Sequence, residues 1–396
     1  MNRRHDIDAL RALAFGLVII YHVAMYYVAD WHWHLKSPHA AEWLQMPMRA
    51  LNLWRMDLVF LISGLALGFL QRGHGRLSLL RSRSWRLLLP LGFGMAVVVP
   101  FQAYAQGVAN GSIAPGLAAF LLRYAAGGPW PRGAFDGSDF GVTWNHLWYL
   151  PYLWLYTSML ILLLPALQSV AGQRLRSAFT RLRGTALLIV PALPLMAWSL
   201  LLWPHFPPTH DLIGDGWLHA VYFTLFLYGW WIGTDEHWWA EAARLRWPAL
   251  GSALVLLALY MGLRTLPADL AAPRQLLRLT ADLYVWTALL AILGWAHVKL
   301  NRPWRWLPWA NESVYPWYVL HQTIIIVVVW WLAPLRLGPE LEPVLLLSGT
   351  VLGCWALTAW VRRTPWLRPL FGLKRLTRLP HPSPDRPVCR SAHNAG

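Results

Sequence analysis

The sequence predicts an all-α, polytopic membrane protein of about ten transmembrane helices with both termini cytoplasmic. Three observations predict it. Hydrophobic residues make up 57% of the chain and charged residues 13%, with a mean hydropathy of +0.38; a soluble domain carries roughly a quarter charged residues. Apolar runs of a length that crosses the ~30 Å core of a bilayer recur along the whole chain. Basic residues collect in alternate loops. Counting Arg11, 25 of the 34 Lys and Arg fall on one side, which leaves 9 on the other. The positive-inside bias places the richer side, and with it both ends of the chain, in the cytoplasm.

Ten runs carry the reading: 8–28, 51–70, 87–106, 145–165, 185–203, 217–234, 248–263, 279–297, 312–333 and 343–361. The first follows a short basic start. No small-x-small cleavage site follows it and it is long for a signal peptide, so it reads as a retained span. The cytoplasmic loops hold Arg72, Arg76, Arg81, Arg83 and Arg86, then Arg174 to Arg183, Arg244 and Arg246, and Lys299 to Arg305. The seventh run is the shortest. The loops on the other side, 29–50 and 107–144, are longer, the second rich in Gly, Pro and Asp. Residues 1–375 read as one transmembrane domain. Residues 376–396, Pro-rich and polar, are expected to form a disordered cytoplasmic tail.

Composition also excludes. The 28 Trp and 14 Tyr suit interfacial aromatic belts. The net charge of +16 is dispersed over short loops, which fits membrane topology and not a nucleic-acid partner. Cys354 and Cys389 make neither a disulfide framework nor a metal site.

Several polar residues stand out within the apolar runs. Arg11 and His22 are eleven residues apart on the first helix. They lie roughly 16 Å apart along the axis on nearly the same face. An ionisable residue at that depth is costly and marks a functional site by default; the plain alternative is a histidine bonded to a neighbouring helix. His321, in the ninth run, enters from the cytoplasm to a depth close to that of His22, so the two imidazoles are expected to meet. Tyr318 lies one turn before it. Asp57 is expected near the outer interface, as a solvated or Arg-paired carboxylate or a catalytic one. Ser63 and Gly64 permit close helix approach. Arg83 and Arg86 share a face if the third helix has started, and two guanidinium groups there fit a phosphate clamp or simple positive-inside signalling. His146 and Trp148 are expected at the outer interface. His210 and Asp215 have His-x4-Asp spacing but sit in a short outer loop, away from a cytoplasmic donor. His32 and His34, two apart with no further clear ligand, are weak as a metal site.

Together these residues resemble the acyltransferase-3 family of integral membrane acyltransferases. The resemblance rests on Arg11 and His22, on Asp57, Phe60, Ser63 and Gly64, on Arg83 and Arg86, on His146 to Leu150, and on Ser313, Tyr315, Tyr318 and His321. It covers nearly the whole chain in order. Trp33, His34 and Ser37 resemble the glucan-modifying branch, whereas Leu61 and Leu65 depart from the aromatic residues usual there. The resemblance implies an O-acyltransferase of the bacterial inner membrane. Its donor would be acyl-CoA (acetyl- or succinyl-CoA), a substrate and not a permanently bound cofactor. Its acceptor would be an extracytoplasmic glycan, with a periplasmic glucan as the branch's expectation. It implies His22, His321, Tyr318 and Asp57 in catalysis. It also implies Arg11, Arg83, Arg86, Ser63, His34, His146 and Trp148 in substrate binding, and no metal. A glycan or lipid transporter is the alternative, which would not need paired arginines at the mouth.

Overall fold

The computed structural model describes residues 4–73, 75–267 and 271–375. The expected tail from residue 376, with Cys389, lies outside them, as does Arg3. Among the described residues the chain is helical without strands; a single bridge joins Val28 and Ala41. Ten long helices run up and down: α1 His5–Tyr27, α2 Gln45–Leu70, α3 Arg76–Ala109, α4 Tyr149–Leu167, α5 Gly184–Leu201, α6 Gly216–Ile232, α7 Arg246–Leu263, α8 Ala271–Leu300, α9 Leu307–Leu332 and α10 Leu341–Arg363. Each corresponds to one predicted span, and the even number returns the chain to its arginine-rich end.

Nine of them, among the described residues, are long and apolar enough to cross a membrane. The exception is α6, whose 17 residues span only about 25 Å at 1.5 Å each. Its place is secured by contact instead of length. A Cβ on Gly64 of α2 would lie 1.9 Å from the Phe226 carbonyl oxygen of α6, and one on Gly229 would lie 2.0 Å from that of Leu61. The two backbones therefore touch, as small residues allow between membrane helices.

The third helix starts eleven residues before the predicted run. Its first turns carry Arg76, Arg81, Arg83 and Arg86, which a hydropathy window reads as loop. A π turn at Gly94–Val98, after Pro90 and before Pro100, interrupts it; prolines remove helix donors and bend the axis. The interruption frees the Val98 carbonyl to accept from the Thr323 hydroxyl of α9 at 2.9 Å.

The loop 29–41 folds back against the bundle. Lys36 Nζ donates to the Met25 and Val28 carbonyls, Ser37 Oγ to Glu342, and the His39 ring to the Leu337 carbonyl. Residues 110–144 pack over the same end around Phe120, Tyr124, Trp130 and Phe135.

Candidate active site

At the arginine-rich end a cavity of about 550 Å³ opens between α1, α2, α3, α4 and α9. Arg11, Arg83, Arg86 and Ser63 all line it. Arg11 donates to Asn311 Oδ1 at 2.8 Å and pairs with Asp8 at 3.3 Å. Arg83 keeps a buried Nε with no partner. Arg86 donates to the Gly372 carbonyl at 3.3 Å, and also lines a wider depression of about 1020 Å³ with Arg81, Trp85, Lys374 and Arg375. Like charges around a void repel unless an anion arrives, and guanidinium forks match phosphate oxygens.

Ser63 faces this cavity rather than a helix seam; that seam belongs to its neighbour Gly64. Its hydroxyl donates to the Val59 carbonyl at 2.8 Å, so the Tyr149 hydroxyl, 2.5 Å away, donates to it. Phe15 and Tyr149 line the inner part of the cavity. Their rings are 6.1 Å apart, and the Tyr318 ring lies 5.5 Å from the first and 5.8 Å from the second. Beyond Tyr318 come the histidines: its ring is 6.1 Å from that of His321 and 5.9 Å from that of His146. Three aromatic rings thus form a septum between arginines and imidazoles.

His22 and His321 meet, at 3.0 Å between His22 Nδ1 and His321 Nε2. The tautomers follow from the neighbours. His321 Nδ1 faces the Tyr318 and Trp317 carbonyls at 2.8 and 3.1 Å. Carbonyls only accept, so Nδ1 carries the proton. In the neutral ring Nε2 is then an acceptor, and His22 Nδ1–H donates to it. His22 is left with an unprotonated Nε2. A histidine whose Nδ1–H is held by a second acceptor, with Nε2 presenting its lone pair, has the form of an oriented general base.

His146 lies deeper than its expected interfacial position. The turn Asn145–Trp148 tucks against α9, and His146 Nε2–H donates to the Tyr318 and Val319 carbonyls, both at 3.2 Å. Its Nδ1 accepts from the Gln102 amide at 3.2 Å, which also donates to Thr323 at 2.7 Å. The Tyr318 hydroxyl donates to the His146 carbonyl at 2.8 Å; it is spent on the backbone and does not face His22.

From Gln102 the polar network runs outward. Gln322 donates to Gln102 Oε1 at 3.2 Å and to His34 Nε2 at 2.7 Å, and His34 Nδ1–H donates to Gln106 Oε1 at 2.7 Å. Gln106 also donates to Asp136 at 3.1 Å and accepts from its backbone N–H at 3.1 Å. Burial keeps the His34 imidazole neutral below its ordinary range, against the pull of the Asp136 charge. Burial works against ionising Asp136, but His34, the Gln106 amide and His32 outweigh it and hold the carboxyl below the usual range. Two buried atoms here have no partner, Gln322 Oε1 and Asn145 Nδ2.

Asp57 and Trp148 are not brought to the histidines. Asp57 is midway along α2 and buried, not near the outer interface. Trp148 instead roofs the outer end, its ring 4.4 Å from His210 and 6.2 Å from Phe60. The His-x4-Asp pair is structural: Asp215 accepts from the Thr209 backbone and hydroxyl, the His210 backbone and the Tyr152 hydroxyl. Sequence reasoning missed Gln102, Gln106, Gln322, Asn145, Asp136 and Arg55. The two glutamines of α3, four apart in an apolar run, are the signal that points to them, since amides inside a membrane helix need partners.

A family model for an acyltransferase domain matches residues 4–359. The chain belongs to the acyltransferase-3 family. It is thus a membrane acyltransferase, all-α and polytopic. Comparison with curated proteins and with solved structures gave no match. The matched region contains the arginine cavity, the septum and the histidine pair of the acyltransferase in one unit.

Proposed function

We propose that the acyltransferase takes its acyl group from acyl-CoA at the arginine-rich end and delivers it to a hydroxyl of a glycan at the other. The arginine-rich end faces the cytoplasm of a bacterial cell on this reading, and the membrane is the inner one. One observation carries the reading: an anion-seeking cavity and an oriented imidazole base stand on either side of a septum of three mutually packed rings. Arg11, Arg83 and Arg86 hold the phosphates of CoA. The pantetheine arm extends inward past Phe15 and Tyr149, whose rings must turn aside for the thioester to reach His22. His22 Nε2 takes the proton from the acceptor hydroxyl as its oxygen attacks the thioester carbon. The C–O bond forms, the C–S bond breaks, and the leaving sulfur receives the proton from His22. His321 holds the His22 ring through the Nδ1–H hydrogen bond and stabilises it while it is charged. His34, Gln322 and Asn145 line the acceptor's approach, and their two unpaired atoms are free for sugar hydroxyls. A periplasmic glucan is the acceptor that the residues Trp33, His34 and Ser37 favour.

The test is mass spectrometry of extracytoplasmic glycans from cells with the wild type, with His22→Ala and without the gene. A mass increment found only with the wild type is expected, and its size names the acyl group. General-base loss costs about 10²- to 10⁴-fold in rate, so the variant should be silent in this assay while still folding. Identical glycans in all three, with the protein expressed, would overturn the reading in favour of a different acceptor or of transport.

A further inference from the structure

Arg55 is a cation of the bundle interior that the site described above does not use. It lies on α2 and is 8% exposed. Its Nη2 makes a long 3.4 Å contact with Asn52 Oδ1, and its Nε and Nη1 are buried without a partner. Among the described residues no carboxylate forms an ion pair with it. Asp57, two residues on, cannot, because residues two apart on a helix face different ways. The one close partner of Arg55 among the described residues is the face of the Tyr21 ring; a buried cation without an anion is unfavourable, so the fold holds this guanidinium ready for an anion that the described residues do not supply.

Its position says what. The guanidinium carbon lies 3.5 Å from the centre of the Tyr21 ring, and that centre lies 5.9 Å from the centre of the His22 ring. Cation and base are therefore separated by no more than those two lengths end to end. Asn52, which touches Arg55 and the Tyr21 hydroxyl, is exposed at the outer side.

We propose that Arg55 receives a carboxylate at the far end of the transferred acyl group, so that the donors are monothioesters of dicarboxylic acids. This rests on the acyl-transfer reading above and names its acyl class. The end of the guanidinium, with Nη1 idle and Nη2 held only by the long Asn52 contact, offers paired N–H donors that match the two oxygens of a carboxylate better than the single oxygen of a thioester oxyanion. In a four-carbon diacid the far carboxylate lies about 4 Å from the reacting carbon, by ordinary bond lengths, a reach that fits between His22 and Arg55. An acidic group on the glycan has the same chemistry, and the experiment separates the two sources.

The full-length protein in lipid nanodiscs is titrated with radiolabelled succinyl-CoA and acetyl-CoA, for the wild type, Arg55→Gln and Arg55→Lys. The CoA portion is common to both donors, so the affinity ratio reports the acyl pocket alone. The wild type should bind succinyl-CoA at least about tenfold more tightly. Arg55→Gln should bring the ratio to one with acetyl-CoA affinity unchanged, and Arg55→Lys should restore part of it. Thermal unfolding of Arg55→Gln should be no earlier than wild type, because an unpaired charge has been removed. A wild-type ratio of one, or a ratio unchanged in Arg55→Gln, overturns the proposal and leaves acyl transfer standing; an acidic acceptor or an oxyanion contact gives that outcome. Failure to bind either donor overturns the acyl-CoA reading itself, and the Arg55 assignment with it.

Discussion

The arginine cavity and the histidine–glutamine network lie at opposite ends of the same helices and treat their polar groups in opposite ways. In the network, most donors and acceptors are matched across the loop 29–41, α3, α9 and the turn before α4, and only Gln322 Oε1 and Asn145 Nδ2 are left over. Every ring nitrogen of His34 and His146 has a partner. In the cavity three guanidinium groups face a void, and Arg83 keeps a buried nitrogen idle. The network is held largely by its own hydrogen bonds, and the cavity, on the proposed reading, is completed by a ligand. The difference teaches which residues can be removed without harm to the fold.

Three measurements break or sharpen that contrast. The largest effect is expected from Arg83→Gln combined with Arg86→Gln. Each charge-assisted hydrogen bond is worth about 1.5–3 kcal/mol, so acyl-CoA affinity should fall by about 100-fold or more in equilibrium binding. Thermal unfolding should change little, since neither side chain has an ion-pair partner among the described residues to lose and Arg86 gives up only its long bond to the Gly372 carbonyl. A large drop in unfolding temperature would show the cavity to be structural and end the contrast. Gln102→Leu should do the reverse. It strands His146 Nδ1 and Gln322, at a cost of about 1–3 kcal/mol in stability for each buried group left unmade, with donor affinity unchanged. A loss of donor affinity in this variant would mean that the two ends are coupled.

The smallest effect concerns His34. Burial keeps its imidazole neutral in the folded protein below its ordinary range. As pH falls through about 6.5 the unfolded chain takes up that proton before the native state does, so stability declines there. His34→Gln removes this part of the decline. The gap between unfolding temperatures at pH 8 and pH 5.5 should narrow by a few degrees at most. A gap unchanged in the variant would place the proton elsewhere.

Much of this was legible in residue order. Each of the ten long helices was visible as an apolar run, because a bilayer demands length and apolarity that leave little ambiguity. Arg11, Arg83, Arg86, His22 and His321 were legible because charge and imidazole are conspicuous in such runs, and rise per residue puts His22 and His321 at one depth. The rest depended on tertiary contact. That His146 is buried follows from a turn folding against α9, which no periodicity encodes. The start of α3 at Arg76 hides in an arginine-rich stretch that reads as loop. Ser63 and Gly64 are adjacent small residues, yet one faces a cavity and the other a backbone. Arg55 is notable only for what does not surround it, and a sequence does not state which carboxylates are far away.

The septum of Phe15, Tyr149 and Tyr318 is also an electrical insulator. A catalyst reached from both faces of a membrane would short-circuit that membrane if its two openings joined. Where the potential falls, moving one charge through costs about 2.3 kcal/mol per 100 mV, and between two wet vestibules the drop concentrates across the dry layer that divides them. Here that layer is a cluster of three packed rings. On the proposed reading the phosphates that anchor an acyl-CoA stay among the arginines, outside the field, and only the acyl end crosses the layer; a dicarboxylic acyl group takes one charge with it, which Arg55 is placed to receive. Proton leakage meets the same rings, which carry no group on the cavity side able to pass a proton except two hydroxyls already committed to Ser63 and to the His146 carbonyl. On that reading, a chemical group would cross the membrane without a conductance being opened.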